Sequence, residues 1–492
     1  MEEIRVQTRI KEEIDKLMVL AEGYIESQVG VHTIERGLFK QLLNIGLALL
    51  IFILKAKIER LSRFGAPQSG GKPMRGKGVE SRQYLSLFGL LHLERPSYWD
   101  KDLGKIHPVD GQLMLPKSSY WSYNIEELVG ESSSENDFKE SVRLLNALLN
   151  LGLSGKSSER NAGHLGPVVE LFYGSKAIEQ ELEAVCFSAS FDGKGVPKIK
   201  QKSEQLIEGN PKKRLGKGEK RGIMEMATVS VTSSFTPRKR NIDSIVKGLM
   251  GSIAKSEKAG PESEVPRDNN WHKNIHRRAF LADQQKSIEY GLNRIKASMV
   301  NPHSRFVVPI DAGIGLEDKV LAWVKENEME GQFDGILLDI IHVSEYVWDA
   351  ATAIFGEKSR CRAAWVQEML TDLLHSKVEK VIEDLQQINA KTELSETKQK
   401  QIAKAITYFT NHKHKMDYKT FIEKGYPISS ALVEAACGHL VKERMEQSGM
   451  RWSSTGAQNI MDLRAVKTNG DMKDFMAFRI QTEQQTTPNK AA

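Results

Sequence analysis

The chain has 492 residues, of which 40% are hydrophobic and 27% charged, and carries a net charge of +6 with a pI of about 8.9. That length supports two to four folding units with a sizeable core, and the composition excludes a low-complexity or disordered polymer. A basic excess this mild permits nucleic-acid binding without establishing it.

The three cysteines, Cys186, Cys361 and Cys437, are far apart and form no CxxC pair. Neither a disulfide framework nor a cysteine zinc site is expected, and a reducing, cytoplasmic setting fits. The N-terminus, MEEIRVQTRIKEEIDKL, is charged and lacks the apolar stretch of a signal peptide. The most apolar run, Ile45 to Leu54 (IGLALLIFIL), is shorter than the roughly 20 residues that cross a bilayer, and reads as part of a buried or dimerising helix.

In chain order, residues 1–64 form an N-terminal helical region, with Phe39, Leu42, Leu43, Leu47, Leu50 and Leu54 at helical spacing. Residues 65–130 read as a linker and irregular region, opened by the Gly-, Pro- and Lys-rich GAPQSGGKPMRGKG and broken at Pro96, Pro108 and Pro116. Residues 131–178 hold a candidate helix-turn-helix. An apolar-periodic helix, with Val142, Leu145, Leu148 and Leu149 on one face, precedes the turn LGLSGKSSER and a second helix. A plain helical hairpin has the same pattern.

Residues 179–355 alternate strands and helices, the mark of an α/β unit. Strands are expected at Val185 to Asp192, at Ala227 to Thr232, at Arg305 to Ile310 and at Gly335 to Ile341, with helices at Ser287 to Val300 and Glu317 to Lys325. Residues 238–275 read as a polar, irregular insertion. Residues 356–424 are a helical insertion with the stripe Met369, Leu373, Leu374, Val378, Val381, Ile382 and Leu385. Gly425-Tyr426-Pro427 ends it. Residues 425–480 then carry a helix from Ser430 to Glu446, and 481–492 read as a disordered tail.

Two features carry chemistry. The first is the loop KIKQKSEQLIEGNPKKRLGKGEKRG at 198–222, where Lys212, Lys213, Arg214, Lys217, Lys220 and Arg221 sit among glycines. Such a loop can neutralise phosphates and let backbone approach them, although most charge runs are simply solvated. The second is a set of carboxylates. Asp192 and Asp311 each close an apolar strand, and Glu434 lies on a late helix. Carboxylates on rigid elements suit hard divalent cations and phosphodiester chemistry. Taken singly, a strand-end Asp is more often a turn or cap, and a Glu near a helix start a macrodipole partner. Asp339 and His342 form a D-x-x-H at a strand-to-helix junction, read either as a metal pair or as an N-cap and a wall residue.

Several blocks then resemble the DDE transposases of the ISKra type of bacterial insertion sequences. They are FDGKGV at 191–196, KKRLGKGEKRG at 212–222, LLDIIHV at 337–343, GYPISSALVEAACGHLVKERM at 425–445, GMRW at 449–452, GAQ at 456–458, LRA at 463–465 and NGD at 469–471. The resemblance implies an RNase H-like core and a D, D, E triad at Asp192, Asp311 and Glu434 holding two Mg²⁺ ions, or Mn²⁺. Asp339 competes with Asp311 for the second place, and Asp339 with His342 resembles an accessory motif. Lys194, Lys442 and Arg451 join the loop cations as implied DNA contacts, and Trp452 either touches DNA or packs. The implied partners are transposon-end and target double-stranded DNA, with no membrane, and pairing of two ends implies a homo-oligomer. The protein would be cytoplasmic, and nucleoid-associated when bound to DNA. Some positions depart from the pattern. Pro309 stands inside a strand, Ala312 where Gly is common, and Ser429 and Ala431 where relatives carry glycines. The stretch 95–113 lacks the cysteines of relatives, so no structural zinc is expected. Two alternatives keep part of this reading: an inactive or domesticated transposon-end DNA-binding protein, and an RNase H-like nuclease without strand transfer.

Overall fold

The structure is a computed structural model. It describes residues 2–63, 66–69, 72–101, 104–183, 185–199, 223–257, 271–313, 315–391 and 394–485. They fall into two compact units, Met1–Ser175 with Asp462–Ala492, and Lys176–Met461. The protein is a mixed α/β protein whose mostly helical N-terminal region precedes a five-stranded mixed sheet with interspersed helices.

In the first unit, α1 (Glu2–Glu26) and α2 (Val31–Ser62) form a helical hairpin. The run Ile45 to Leu54 belongs to a longer helix than the sequence suggests, and by length and composition α2 is able to cross a membrane. One stripe of it, Leu47, Leu50, Ile51, Leu54, Ile58 and Leu61, packs instead with Leu91, Leu93, Val109 and Leu115 of the same unit. Phe39 and Leu42, expected on that stripe, are exposed.

Residues 65–130 are not the irregular linker that the prolines suggested. A two-stranded ribbon, β1 (Gln68–Ser69) and β2 (Lys72–Pro73), precedes a three-stranded antiparallel sheet of β3 (Arg75–Ser86), β4 (Gly89–Asp100) and β5 (Gly104–Ile106). Pro96 is tolerated because β5 pairs with β4 only at Tyr98 to Asp100, leaving Pro96 a strand neighbour on one side alone. After α3 (Pro108–Gln112) come α4 (Tyr123–Glu135), α5 (Glu140–Leu149) and α6 (Gly155–Ser175), which pack on one another. The turn between α5 and α6 is clamped by Asn146, whose side chain donates to Leu153 O at 2.7 Å and accepts from Leu153 N at 2.8 Å. The C-terminal α17 (Met472–Gln485) packs on α4 and α6 and so runs into the segment expected to be a tail; residues 486–492 lie outside the described residues.

In the second unit, β6 (Cys186–Pro197), β7 (Met224–Phe235) and β8 (His272–Leu281) form an antiparallel meander. β9 (Arg305–Ile310) and β10 (Phe333–Leu338) then add in parallel, giving the order β10-β9-β6-β7-β8. β8 and α7 (Ile242–Glu257) replace most of the irregular insertion expected at 238–275. The side-chain period of two separates two cores. Phe187, Ala189, Phe191, Phe306, Val308 and Ile310 face α8 (Gln284–Ser298) and α9 (Leu316–Glu326). Cys186, Val307 and Leu337 face the opposite core. That core is shared with α10 (Ile340–Phe355), α11 (Arg360–Leu374), α12 (Val378–Asn389), α13 (Glu396–His412) and α14 (Tyr418–Lys424). All seven residues of the expected insertion stripe are buried there.

Candidate active site

The parallel strands bring three aspartates to one level of the sheet. In the β6–β9 ladder Cys186 pairs with Arg305 and Ser188 with Val307. The same offset (305 − 186 = 119) matches Asp192 to Asp311 by number, four residues past the last paired position, and the Asp192 charge reaches Asp311. In the β9–β10 ladder Leu338 pairs with Ile310, and the same step (338 − 310 = 28) sets Asp339 beside Asp311. Asp192 and Asp311 keep the alternation of Cys186 and Val307 and so share the face of the helical insertion. Asp192 is not at a strand end as expected: β6 runs on to Pro197, but its ladder with β9 stops at Ser188. Pro309 is accommodated the same way, because β6 has left β9 by Val307 and only β10 pairs with it.

The three carboxylates have different surroundings. Asp192 is half-buried and accepts a hydrogen bond from Gly193 N at 2.6 Å. Asp311 accepts one from Gly313 N at 3.0 Å. Glycine suits position 313, since an added Cβ would meet Asp311 Oδ1 at 2.9 Å. Burial pushes the Asp311 pKa above the usual carboxylate range against that hydrogen bond, and the charges of Asp192 and Asp339 push the same way. Asp339 is fully buried and fully used. Its Oδ1 caps α10 by accepting from Ile341 N at 2.7 Å, and its Oδ2 accepts from Ser430 N at 3.0 Å and from the Ser430 hydroxyl. Beside it, Ile340 N donates to Ile428 O at 3.1 Å. Asp339 therefore fastens the segment leading into α15 (Ala431–Ala436), the helix of Glu434.

Glu434 is exposed, on a helix that packs against β6 and β7. Three residues on, and so on the same helical face, the buried Cys437 thiol shares a hydrogen bond with the Asp192 carboxylate. Burial and that carboxylate drive the thiol pKa far up, so it stays protonated and donates. The expected continuous helix is interrupted at this point by a π turn, Cys437–Lys442, followed by α16 (Glu443–Met445). Among the described residues no three His, Cys, Asp or Glu side chains are grouped to hold a metal ion. The structure brings Asp192 and Asp311 together; Glu434 does not complete a metal cage with them.

The wall on the insertion side is aromatic and basic. Burial lowers the His342 pKa, but the charges of Asp339, Glu345 and Asp311 and the Glu345 hydrogen bond raise it overall above the ordinary value. Its Nδ1 stands 3.5 Å from Glu345 Oε2. Tyr346 stacks on Tyr408 at 3.8 Å, and Lys404 stands over the Tyr346 ring.

The expected DNA contacts divide into three groups. Lys194 is two residues from Asp192, on the same strand face, and Lys442 and Arg451 are exposed. Trp452 is buried, donating to Met445 O at 3.1 Å with the Arg444 guanidinium over its ring. Lys212, Lys213, Arg214, Lys217, Lys220 and Arg221 lie outside the described residues. The sequence reading missed Cys437, which its spacing from Glu434 would have suggested, and Ser430, for which no local signal exists.

A scan of protein-family models gives no match to this chain, and a search of curated proteins finds no relative.

Proposed function

We propose that this protein is a DNA transposase of the DDE type, with an RNase H-like core, acting through Asp192, Asp311 and Glu434. The observation that carries the reading is that Asp311, just past the end of β9, feels the charge of Asp192 on the neighbouring strand β6. A mixed sheet with three antiparallel strands, two further strands parallel to the first, and interleaved helices supports the core assignment. So do the sequence blocks that surround Asp192 and Glu434.

Two nearby carboxylates repel unless a cation offsets them, and the raised Asp311 pKa expresses that repulsion together with burial. This donor set suits Mg²⁺ or Mn²⁺, which take one or two protein carboxylates and complete their shell with water and phosphate oxygens. When bound, two such ions supply hydroxide at neutral pH and stabilise the leaving oxygen. Asp192 and Asp311 would hold the ions from the sheet, with Glu434 of α15 as the third carboxylate. Cys437 positions Asp192 by its hydrogen bond. Asp339 positions Glu434 through Ser430, which favours Asp311 over Asp339 as the second aspartate of the triad. Water attacks phosphorus at the transposon end and the 3′ oxygen leaves as a hydroxyl. That 3′-OH then attacks a target phosphodiester, forming one P–O bond as another breaks. Lys194, Lys442 and Arg451, together with the 212–221 cations, bind DNA phosphates. Two copies act together on two ends, in the cytoplasm.

The test is incubation of the purified chain with a labelled transposon-end duplex and a target plasmid in Mg²⁺ or Mn²⁺. Joined product is expected. Cleavage without joining makes the protein a nuclease, and binding with neither makes it a non-catalytic end-binding protein. Full activity in Asp311→Ala overturns the Asp311 assignment.

A further inference from the structure

The first unit contains a cavity of about 1430 Å³ that the proposed chemistry does not use. It lies between β4, β5 and the first turns of α6. Its volume exceeds the roughly 300–1,000 Å³ of an ordinary small-molecule pocket, which favours an extended ligand.

Its charge is lopsided. Asp110 and Glu483 line it, but both are already engaged. Asp110 pairs with Arg82 at 2.9 Å and with Arg95 at 2.7 Å. Glu483 accepts from Ser118 and Tyr123 and pairs with Arg479 at 3.1 Å; despite burial, these partners take its pKa down to about 2. Lys105 also lines it but is paired with Glu80, whereas Lys117 and Arg160 add positive charge to the lining. Arg160 is exposed on α6 and has no carboxylate partner among the described residues. Two large aromatic rings also line the cavity and remain half in solvent, Trp99 at 50% and Tyr120 at 46%.

Cations beside exposed aromatic rings are the chemistry that holds a nucleic-acid strand whose bases are unpaired, phosphates on the cations and bases stacked on the rings. A duplex keeps its base faces stacked internally and gains nothing from the rings. We infer that this cavity binds a short unpaired segment of DNA, with Arg160 on a phosphate and Trp99 and Tyr120 against bases. The inference rests on the proposed function only in taking DNA as the macromolecule.

The experiment is fluorescence anisotropy of a labelled oligothymidylate of about six nucleotides with the full chain in the absence of divalent metal. Competitors are a hairpin duplex and thymidine monophosphate at equal nucleotide concentration. The oligothymidylate is expected to bind, with both competitors much weaker. Trp99→Ala and Tyr120→Ala are each expected to weaken binding about tenfold. Arg160→Ala is expected to weaken it and to reduce the slope of log affinity against log salt by about 0.7, which a merely structural role would not do. Lys400→Ala, at an exposed side chain of α13 in the other unit, serves as the unchanged control. The substituted side chains are exposed, and thermal melts confirm that the variants fold. Equal competition by the duplex, displacement by the monophosphate, or no loss in the three variants overturns the assignment. Asp192→Asn separates the two readings: it abolishes the proposed cleavage and leaves this binding intact.

Discussion

The ends of β9 and β10 carry the same residue at the same level of the sheet and use it in opposite ways. Past β10, Asp339 is buried and its two oxygens accept three hydrogen bonds. Past β9, Asp311 is half-buried, accepts from Gly313 N, and has the Asp192 charge beside it. A satisfied carboxylate is a structural part, and removing it strands its donors. An under-satisfied carboxylate next to a like charge is a place for a cation. Strand position alone does not separate the two; their partners do.

Exchanging the two roles by mutation is the strongest way to break this contrast. Asp311→Asn is expected to lower the proposed DNA cleavage on the order of 10³-fold or more, about 4 kcal/mol of barrier, without lowering stability. Single-turnover cleavage and urea unfolding of the same preparation measure both quantities. Asp339→Ala is expected to behave the other way round, costing about 3 kcal/mol of folding free energy from the lost cap and the stranded Ser430 donors. A stable but inactive Asp339→Ala protein would reverse the assignment. Ser430→Ala removes one of those hydrogen bonds and is expected to cost about 1.5–3 kcal/mol in the same urea titration.

The smaller effects depend on pH. Asp311 has a folded pKa raised above its unfolded value near 3.9, so its contribution to stability is present below that value and is lost as pH rises through the folded pKa. Metal-free Asp311→Asn is therefore expected to gain stability relative to the parent as pH rises from about 4, and Mg²⁺ is expected to stabilise the parent alone. His342 also has a raised pKa, so its contribution is full below about 6.5 and lost as pH rises through its folded value. His342→Gln is expected to flatten the unfolding midpoint across that window. A midpoint curve identical to the parent's would remove His342 from the electrostatics of the site.

The sequence was most informative where burial follows a simple period. The alternation before Asp192 and before Asp311 gave two neighbouring strands of the sheet, and the stripe from Met369 to Leu385 gave the insertion core. It misled where polar side chains are buried by distant partners. HKNIHRRAFL does not look like a strand, yet it forms β8, with Arg278 buried against the rings of Phe280 and Tyr290 and His276 bonded to the Tyr290 hydroxyl. Residues 65–130 misled because prolines mark strand ends and open edges as well as loops. At the site, two adjacent aspartates were legible from pattern. The difference in surroundings between Asp311 and Asp339 was not, because a partner that makes it, Ser430, is 91 residues from Asp339.

That separation also sets an order in time. The chain leaves the sheet after β10, builds five helices, and returns to the hydrogen bonds from Ser430 to Asp339 and from Ile340 to Ile428. At about 5–20 residues per second of synthesis, Asp339 waits roughly 5–20 s for its partner to be made. During that interval water stands in for the Ser430 donors at Asp339, and the core shared with α11 to α14 is incomplete. The nascent second unit thus cannot finish the buried end of β10 until its last third has been translated.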